Sequence, residues 1–122
     1  MRVAGFGFRQ AATVDSLTDA LAQAGGAVGL AALAAPADKA AAQCLAGLAA
    51  RLGLPIQPVP ADRLRAIDTP TQAARVLAAR GTGSVAEAAA LSAAGPGARL
   101  LSSRQISTDR MASCAIATGD TP

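Results

Sequence analysis

The chain contains no histidine, tryptophan or tyrosine. Without an imidazole there is no Ser–His–Asp triad, no Cys–His nucleophile pair and no histidine-ligated metal. Its aromatics are reduced to Phe6 and Phe8. No basic stretch therefore carries the interleaved rings on which bases stack, and nucleic acid is not an expected partner. Lys39 is the only lysine, and the net charge of +3 rests almost wholly on arginines scattered along the chain. A small anion with several carboxylates suits such a set; a plainly solvated arginine surface is the competing reading. Cysteine is limited to Cys44 and Cys114, far apart and without paired spacing. The first falls on the apolar face of a predicted helix and the second in a predicted strand, so both read as small buried hydrophobes in a reducing cytoplasm. The apolar run from Ala24 to Ala35 is too short to span a bilayer, and Met1-Arg2 leads straight into a strand with no secretory signal pattern. The expectation is a cytoplasmic protein with no membrane partner, no metal and no cofactor.

What remains is 122 residues, 52% of them hydrophobic and most of those alanine. That is one domain, 1–122, with a core of small side chains packed at close helix–sheet distances.

The most informative stretch is Val3-Ala4-Gly5-Phe6-Gly7-Phe8-Arg9-Gln10. It reads as a buried strand ending in a glycine turn that delivers Arg9 to the mouth of a helix, whose N-cap is Thr13 or Ser16. Glycines, free N–H groups and an arginine fork together suit an anion. The same glycines also serve a bare strand-to-helix corner. Gly5-x-Gly7 could open a dinucleotide fingerprint, but Gln10 stands where its third glycine belongs.

Periodicity gives the rest. Val14, Leu17, Leu21 and Ala24 form one helical stripe, closed by Gly25-Gly26. Val28 to Ala34 reads as a strand buried on both faces. Pro36-Ala37-Asp38 opens a helix carrying Ala41, Cys44, Leu45, Leu48 and Leu52, with Gly53 at its end. Pro55 to Val59 is a short edge strand, and Ala61 to Ile67 a short helix with Leu64 and Ile67 inward. Thr69-Pro70 starts a further helix, with Ala73, Val76 and Leu77, ending at Gly81-Thr82-Gly83. Ser84 and Glu87 form a capping box for a helix through Leu91 to Gly95-Pro96, and capping alone explains both residues. Arg99 to Ser102 and Ser113 to Ala117 are strands, and the polar segment Ser103–Arg110 between them reads as a mobile loop that closes over a site. The tail from Thr118 is expected to fray. The sum is an α/β fold: a single three-layer domain with a mixed sheet of about five strands, helices on both faces and an antiparallel C-terminal addition. Ligands of such sheets sit outside the carboxyl ends of the strands. Gly5–Arg9 and the Gly81–Glu87 helix start should meet there, both presenting N–H groups.

Three blocks in this order carry a family resemblance: Gly5-Phe6-Gly7-Phe8-Arg9, then Gly83-Ser84-Val85-Ala86-Glu87-Ala88-Ala89-Ala90-Leu91, then Leu100-Leu101 before a basic polar segment and Ala115-Ile116-Ala117. The chain resembles the CobE/CbiG C-terminal domain family of cobalamin biosynthesis over essentially its whole length, and is most similar to the family's stand-alone form, which belongs to the aerobic route. Many members have cysteine where Phe8 stands and a Val-Pro-Lys-like loop where this chain has Ser102-Ser103-Arg104; Arg104 keeps the charge. The resemblance implies a role on corrin or precorrin intermediates, with other enzymes of the pathway as candidate partners. Such intermediates bear acetate and propionate arms, for which arginines and helix N-termini are suitable partners. The expected ligand-binding residues are Gly5, Gly7, Phe8, Arg9, Gly83, Ser84, Glu87 and Arg104, with no catalytic residue assigned. Two functions stand side by side: a protein that binds or carries the intermediate, and an enzyme or enzyme partner that opens a lactone on it. With no histidine, proton transfer would fall to Glu87, the aspartates or the thiols.

Overall fold

A computed structural model describes residues 1–73 and 84–119. In chain order the elements are β1 (Arg2–Phe8), α1 (Val14–Ala24), β2 (Leu30–Pro36), α2 (Gln43–Leu52), β3 (Ile56–Val59), α3 (Ala61–Ala66), α4 (Val85–Ala94), β4 (Arg99–Ile106) and β5 (Ala112–Thr118). They build one mixed five-stranded sheet in the order β3-β2-β1-β5-β4. β1, β2 and β3 run parallel, β5 returns antiparallel to β1, and β4 pairs antiparallel with β5. This is the expected fold class, with β1 at the centre. Among the described residues no helix is long and apolar enough to cross a membrane.

The alternation of β1 sorts its side chains between two cores. Ala4 and Phe6 join Leu33, Ala35, Cys114 and Ile116 under α1 and α2, where Leu17, Leu21, Leu45 and Leu48 meet them. Val3 joins Ala32, Ala34, Val59 and Ala117 on the opposite face, against Leu64 and the alanines of α4. A strand covered on both faces must be apolar at every position, which is why β1 and β2 read as continuous runs. α4 is apolar nearly all round because it is wrapped by the sheet, by α3 and by β4. Gly5 lies beneath it, and a β-carbon there would overlap the Ala86 carbonyl and the Ala90 amide. The glycine thus sets the helix-to-strand distance.

Several boundaries differ from expectation, each for a local reason. β2 begins at Leu30, because Gly26 and Gly29 adopt positive φ of 89° and 81° and turn the chain; Val28 is left 88% exposed on that turn. Pro36 ends β2 and starts no helix. The Ala37 amide still bonds to the Val59 carbonyl at 2.9 Å, and the following residues form turns, with Lys39 N on the Pro36 carbonyl at 2.8 Å. α2 therefore starts at Gln43, Ala41 lies off its face, and Cys44 is only half-buried. Thr69-Pro70 does not begin a helix within 70–73; the Thr71 amide is taken by a side chain described below. The rest of that expected helix, with Val76, Leu77 and Gly81–Gly83, lies outside the described residues.

The first half of the expected loop from Ser103 is strand. β4 continues to Ile106, and only residues 107–111 turn. Ser107 N bonds to the Ala112 carbonyl at 2.8 Å, Ala112 N to Ser107 Oγ at 3.0 Å, and Arg110 takes φ 62°. Thr118 is paired on both sides, with Arg2 and Arg99, and Gly119 N bonds to the Met1 carbonyl at 2.9 Å. These two residues are held, not frayed.

Candidate functional site

The parallel strands β1 and β2 deliver Phe8 and Pro36 to the same end of the sheet. There, with the 107–111 turn, the end of β4 and the start of α4, they enclose an open cavity of about 490 Å³. Such volumes lie within the range of about 300–1,000 Å³ typical of small-molecule sites. The place is the one that an open α/β sheet dictates, outside the carboxyl ends of its strands.

Its lining is chemically lopsided. Arg9, Lys39, Arg104 and Arg110 contribute to it, and among the described residues no carboxylate or thiol does. Phe8, Pro36, Val85, Ile106 and Met111 supply an apolar wall. Each cation is placed by its backbone. Arg9 follows β1 directly and its amide bonds to the Met111 carbonyl at 2.8 Å, tying it to the hairpin. Lys39 sits on the turn after β2, with Nζ 5.3 Å from the centre of the Phe8 ring, a cation–π distance. Arg110 occupies the left-handed position of the hairpin turn, which for a non-glycine residue requires support from its surroundings. Arg104 lies in β4 where the pairing with β5 is irregular, between Ser102 and Gln105. Its Nη1 is buried and has no hydrogen-bond partner among the described residues.

The hairpin tip is tied to α1. Asp109 accepts from Ser16 Oγ and Ser107 Oγ, each at 2.6 Å, and from the Met111 amide at 3.0 Å. The Ser107 hydroxyl, then that of Ser16, holds the Asp109 carboxyl below its ordinary value. The Thr108 amide bonds to Asp19, whose carboxyl is lowered first by that bond. Burial pushes the Cys114 thiol well above the usual range, so it stays an inert core group.

Of the residues singled out in the sequence, Gly7, Phe8, Arg9 and Arg104 line the cavity. Gly5 is a layer away, under α4, and Gly83 lies outside the described residues. Ser84 caps α4, accepting from the Glu87 amide at 3.3 Å. Glu87 does not complete the box. Its side chain, 0% exposed, turns away from the cap to Thr71 and Arg104, so capping does not explain it. Nor does the start of α1 line the cavity; Thr13 and Ser16 cap each other reciprocally there. Lys39, Arg110 and Met111 were missed. The rule that ligands sit beyond strand ends, applied to β2 as it was to β1, would have found Lys39. Among the described residues no group of histidine, cysteine or acidic side chains is arranged to hold a metal ion.

Comparison with known proteins agrees with this architecture. The family model described as cobalamin synthesis G C-terminus matches residues 2–117. No curated protein matches. Among solved structures the chain is similar to CobE, a protein of the cobalamin (vitamin B12) biosynthetic pathway: identity is 31%, covering 96% of this chain and 89% of that one, with a TM-score of 0.80. It is similar too to the cobalamin biosynthesis protein chiG of Agrobacterium tumefaciens, at 33% identity, 98% and 99% coverage and a TM-score of 0.72. A putative cobalamin biosynthesis protein G homologue from Sulfolobus solfataricus shares the fold, at 17% identity, with 98% of this chain on 37% of that one and a TM-score of 0.72. The chain belongs to the CobE/CbiG C-terminal domain family of cobalamin biosynthesis proteins.

Proposed function

We propose that the chain binds a polycarboxylate corrin or precorrin intermediate at the carboxyl end of its sheet. The observation that carries this is the cavity lining: four cations and no acid among the described residues, set against an apolar wall. Acetate and propionate arms are partners for arginine forks, and charge-assisted bonds of this kind are the strong ones. The edge of a macrocycle needs the apolar surface that Phe8, Val85 and Met111 provide. The cavity is too small to enclose a whole macrocycle, so one rim of the ligand enters and the rest stays outside. Binding is favoured over lactone opening because the described lining offers no carboxylate or thiol for proton transfer or attack.

A visible-absorbance titration with a metal-free corrinoid acid tests the reading. A saturable shift is expected, weakened about 10- to 100-fold by Arg104→Ala, since a bond to a charged group contributes about 1.5–3 kcal/mol. Exposed Arg9→Ala should weaken it less. A single-turnover incubation with a lactone-containing precursor should return it unchanged. A wild-type protein that gives no shift, or one that consumes the lactone, would reverse the reading.

A further inference from the structure

We infer that Glu87 is the positioning residue for Arg104: a buried carboxylate that fixes where a half-buried guanidinium group of the cavity is presented. The inference rests on the binding reading above and names the device behind it.

Glu87 stands in the first turn of α4 and is fully buried. Its Oε1 accepts from Thr71 N at 2.9 Å, and its Oε2 from Thr71 Oγ1 at 2.9 Å and from Arg104 N at 2.8 Å. Arg104 lies in the irregular stretch of β4, where the register against β5 shifts. Glu87 supplies the acceptor that its amide takes there. Fixing that amide fixes the point from which the side chain leaves the backbone, and the side chain then lines the cavity with Nη1 buried and unpaired among the described residues. A buried donor without an acceptor is costly, and an incoming carboxylate removes that cost. The same carboxylate holds Thr71, two residues before Ala73 on the cavity wall.

Capping gives no reason for an acid here, because Ser84 already caps the helix. The acceptor oxygens of Glu87 go to Thr71 and Arg104, and an apolar side chain of similar volume would leave those donors without them.

The test is a double-mutant cycle read by affinity for a metal-free corrinoid acid, with amide hydrogen exchange alongside. Glu87→Met removes both acceptor oxygens at similar volume. It should weaken binding tenfold or more and speed exchange of the Arg104 amide at least tenfold beyond any change at the Ile116 amide in β5, which reports global opening. The double variant Glu87→Met/Arg104→Ala should bind no more weakly than Arg104→Ala alone, because Arg104→Ala keeps the amide and removes only what Glu87 positions. If Glu87→Met does not fold, Glu87→Gln keeps one acceptor oxygen; its smaller loss should vanish in the Arg104→Ala background in the same way. Losses that add, or a Glu87→Met protein that binds as wild type, would overturn the inference. If the wild type shows no response to the corrinoid acid, the binding reading fails by itself. Exchange of the Arg104 amide still decides the role of Glu87, and an unchanged rate would sink it.

Discussion

At the start of α1, Thr13 and Ser16 serve each other: each backbone amide bonds to the other's hydroxyl, at 3.1 and 3.2 Å. The Ser16 hydroxyl also donates outward, to a carboxylate on the hairpin, Asp109. At the start of α4 the polarity is reversed. Ser84 alone caps, and the carboxylate is on the helix, receiving donors from β4 and from the 69–73 segment. Both helix starts thus anchor a wall of the cavity. One does so with an acid on the surface and the other with an acid in the interior, and this difference decides how each can be broken. A surface tie is dispensable and sensitive to solvent, whereas an acid in the interior is costly to remove because its partners lose acceptors that water replaces less readily there.

The sharpest way to break the comparison is truncation at the third helical position of α4 against the cap of α1. Glu87→Ala leaves two half-buried amides and a hydroxyl without these acceptors, together with a void in the interior. It should cost about 3–5 kcal/mol in urea or guanidinium unfolding. Thr13→Ala removes an ordinary cap and should cost about 1 kcal/mol. Equal losses would mean that the buried carboxylate is no more than a cap.

The pair also shows where local sequence stops informing. Thr13-x-x-Ser16 and Ser84-x-x-Glu87 look alike as helix starts, and the second is the better capping box on paper. Glu87 is diverted because partners 16 and 17 residues away compete for it, and no local pattern records such a partner. The apolar periodicities of β1, α1 and α2 were legible because burial on a fixed face leaves a repeat in the chain. β4 was read partly as loop because it is an edge strand that buries little on either face, so Ser102–Gln105 could be polar without penalty. Pro36 was misplaced because proline after an apolar run marks the end of a strand as well as the start of a helix. In the site, Arg9 was legible from the strand it terminates. Arg110 was not, since its place depends on a turn whose register only the hairpin defines.

A second contrast separates the ways in which the two helices pack. α4 meets β1 backbone to backbone at Gly5, so Gly5→Ala has nothing flexible to displace and should cost about 3 kcal/mol. α1 meets α2 through side chains: a β-carbon at Gly47 would lie 2.7 Å from Val14 Cγ2, a half-buried methyl that must shift or change rotamer where the backbone at Gly5 has no such choice. Gly47→Ala also gains about 1 kcal/mol of helix propensity, and its net effect should stay within about 1 kcal/mol of zero. Thermal unfolding of the two variants side by side measures the difference. A mild Gly5→Ala would mean that α4 can lift from the sheet.

The smallest effect is the most selective, because it loosens one wall and spares the other. The Asp109 carboxyl is held below its ordinary value of 3.8, first by Ser107 and then by Ser16. A carboxyl so lowered in the folded chain binds its proton less readily than in the unfolded chain. Its contribution is therefore complete above pH 3.8 and is lost as pH falls through the lower folded value. Asp19 on the Thr108 amide behaves in the same sense. Both carboxyls lie at the surface, so added salt and water weaken these ties further. Amide exchange, corrected for its intrinsic pH dependence, should show Thr108 and Met111 losing protection as pH falls below 3.8 while Ala88 in α4 keeps its own. Asp109→Asn should loosen Met111 at neutral pH and flatten its acid response, leaving that of Thr108, whose amide bonds to Asp19. If acid loosened the two helix starts together, the surface and buried ties would be one cooperative unit, and the separation drawn between the walls of the cavity would not hold.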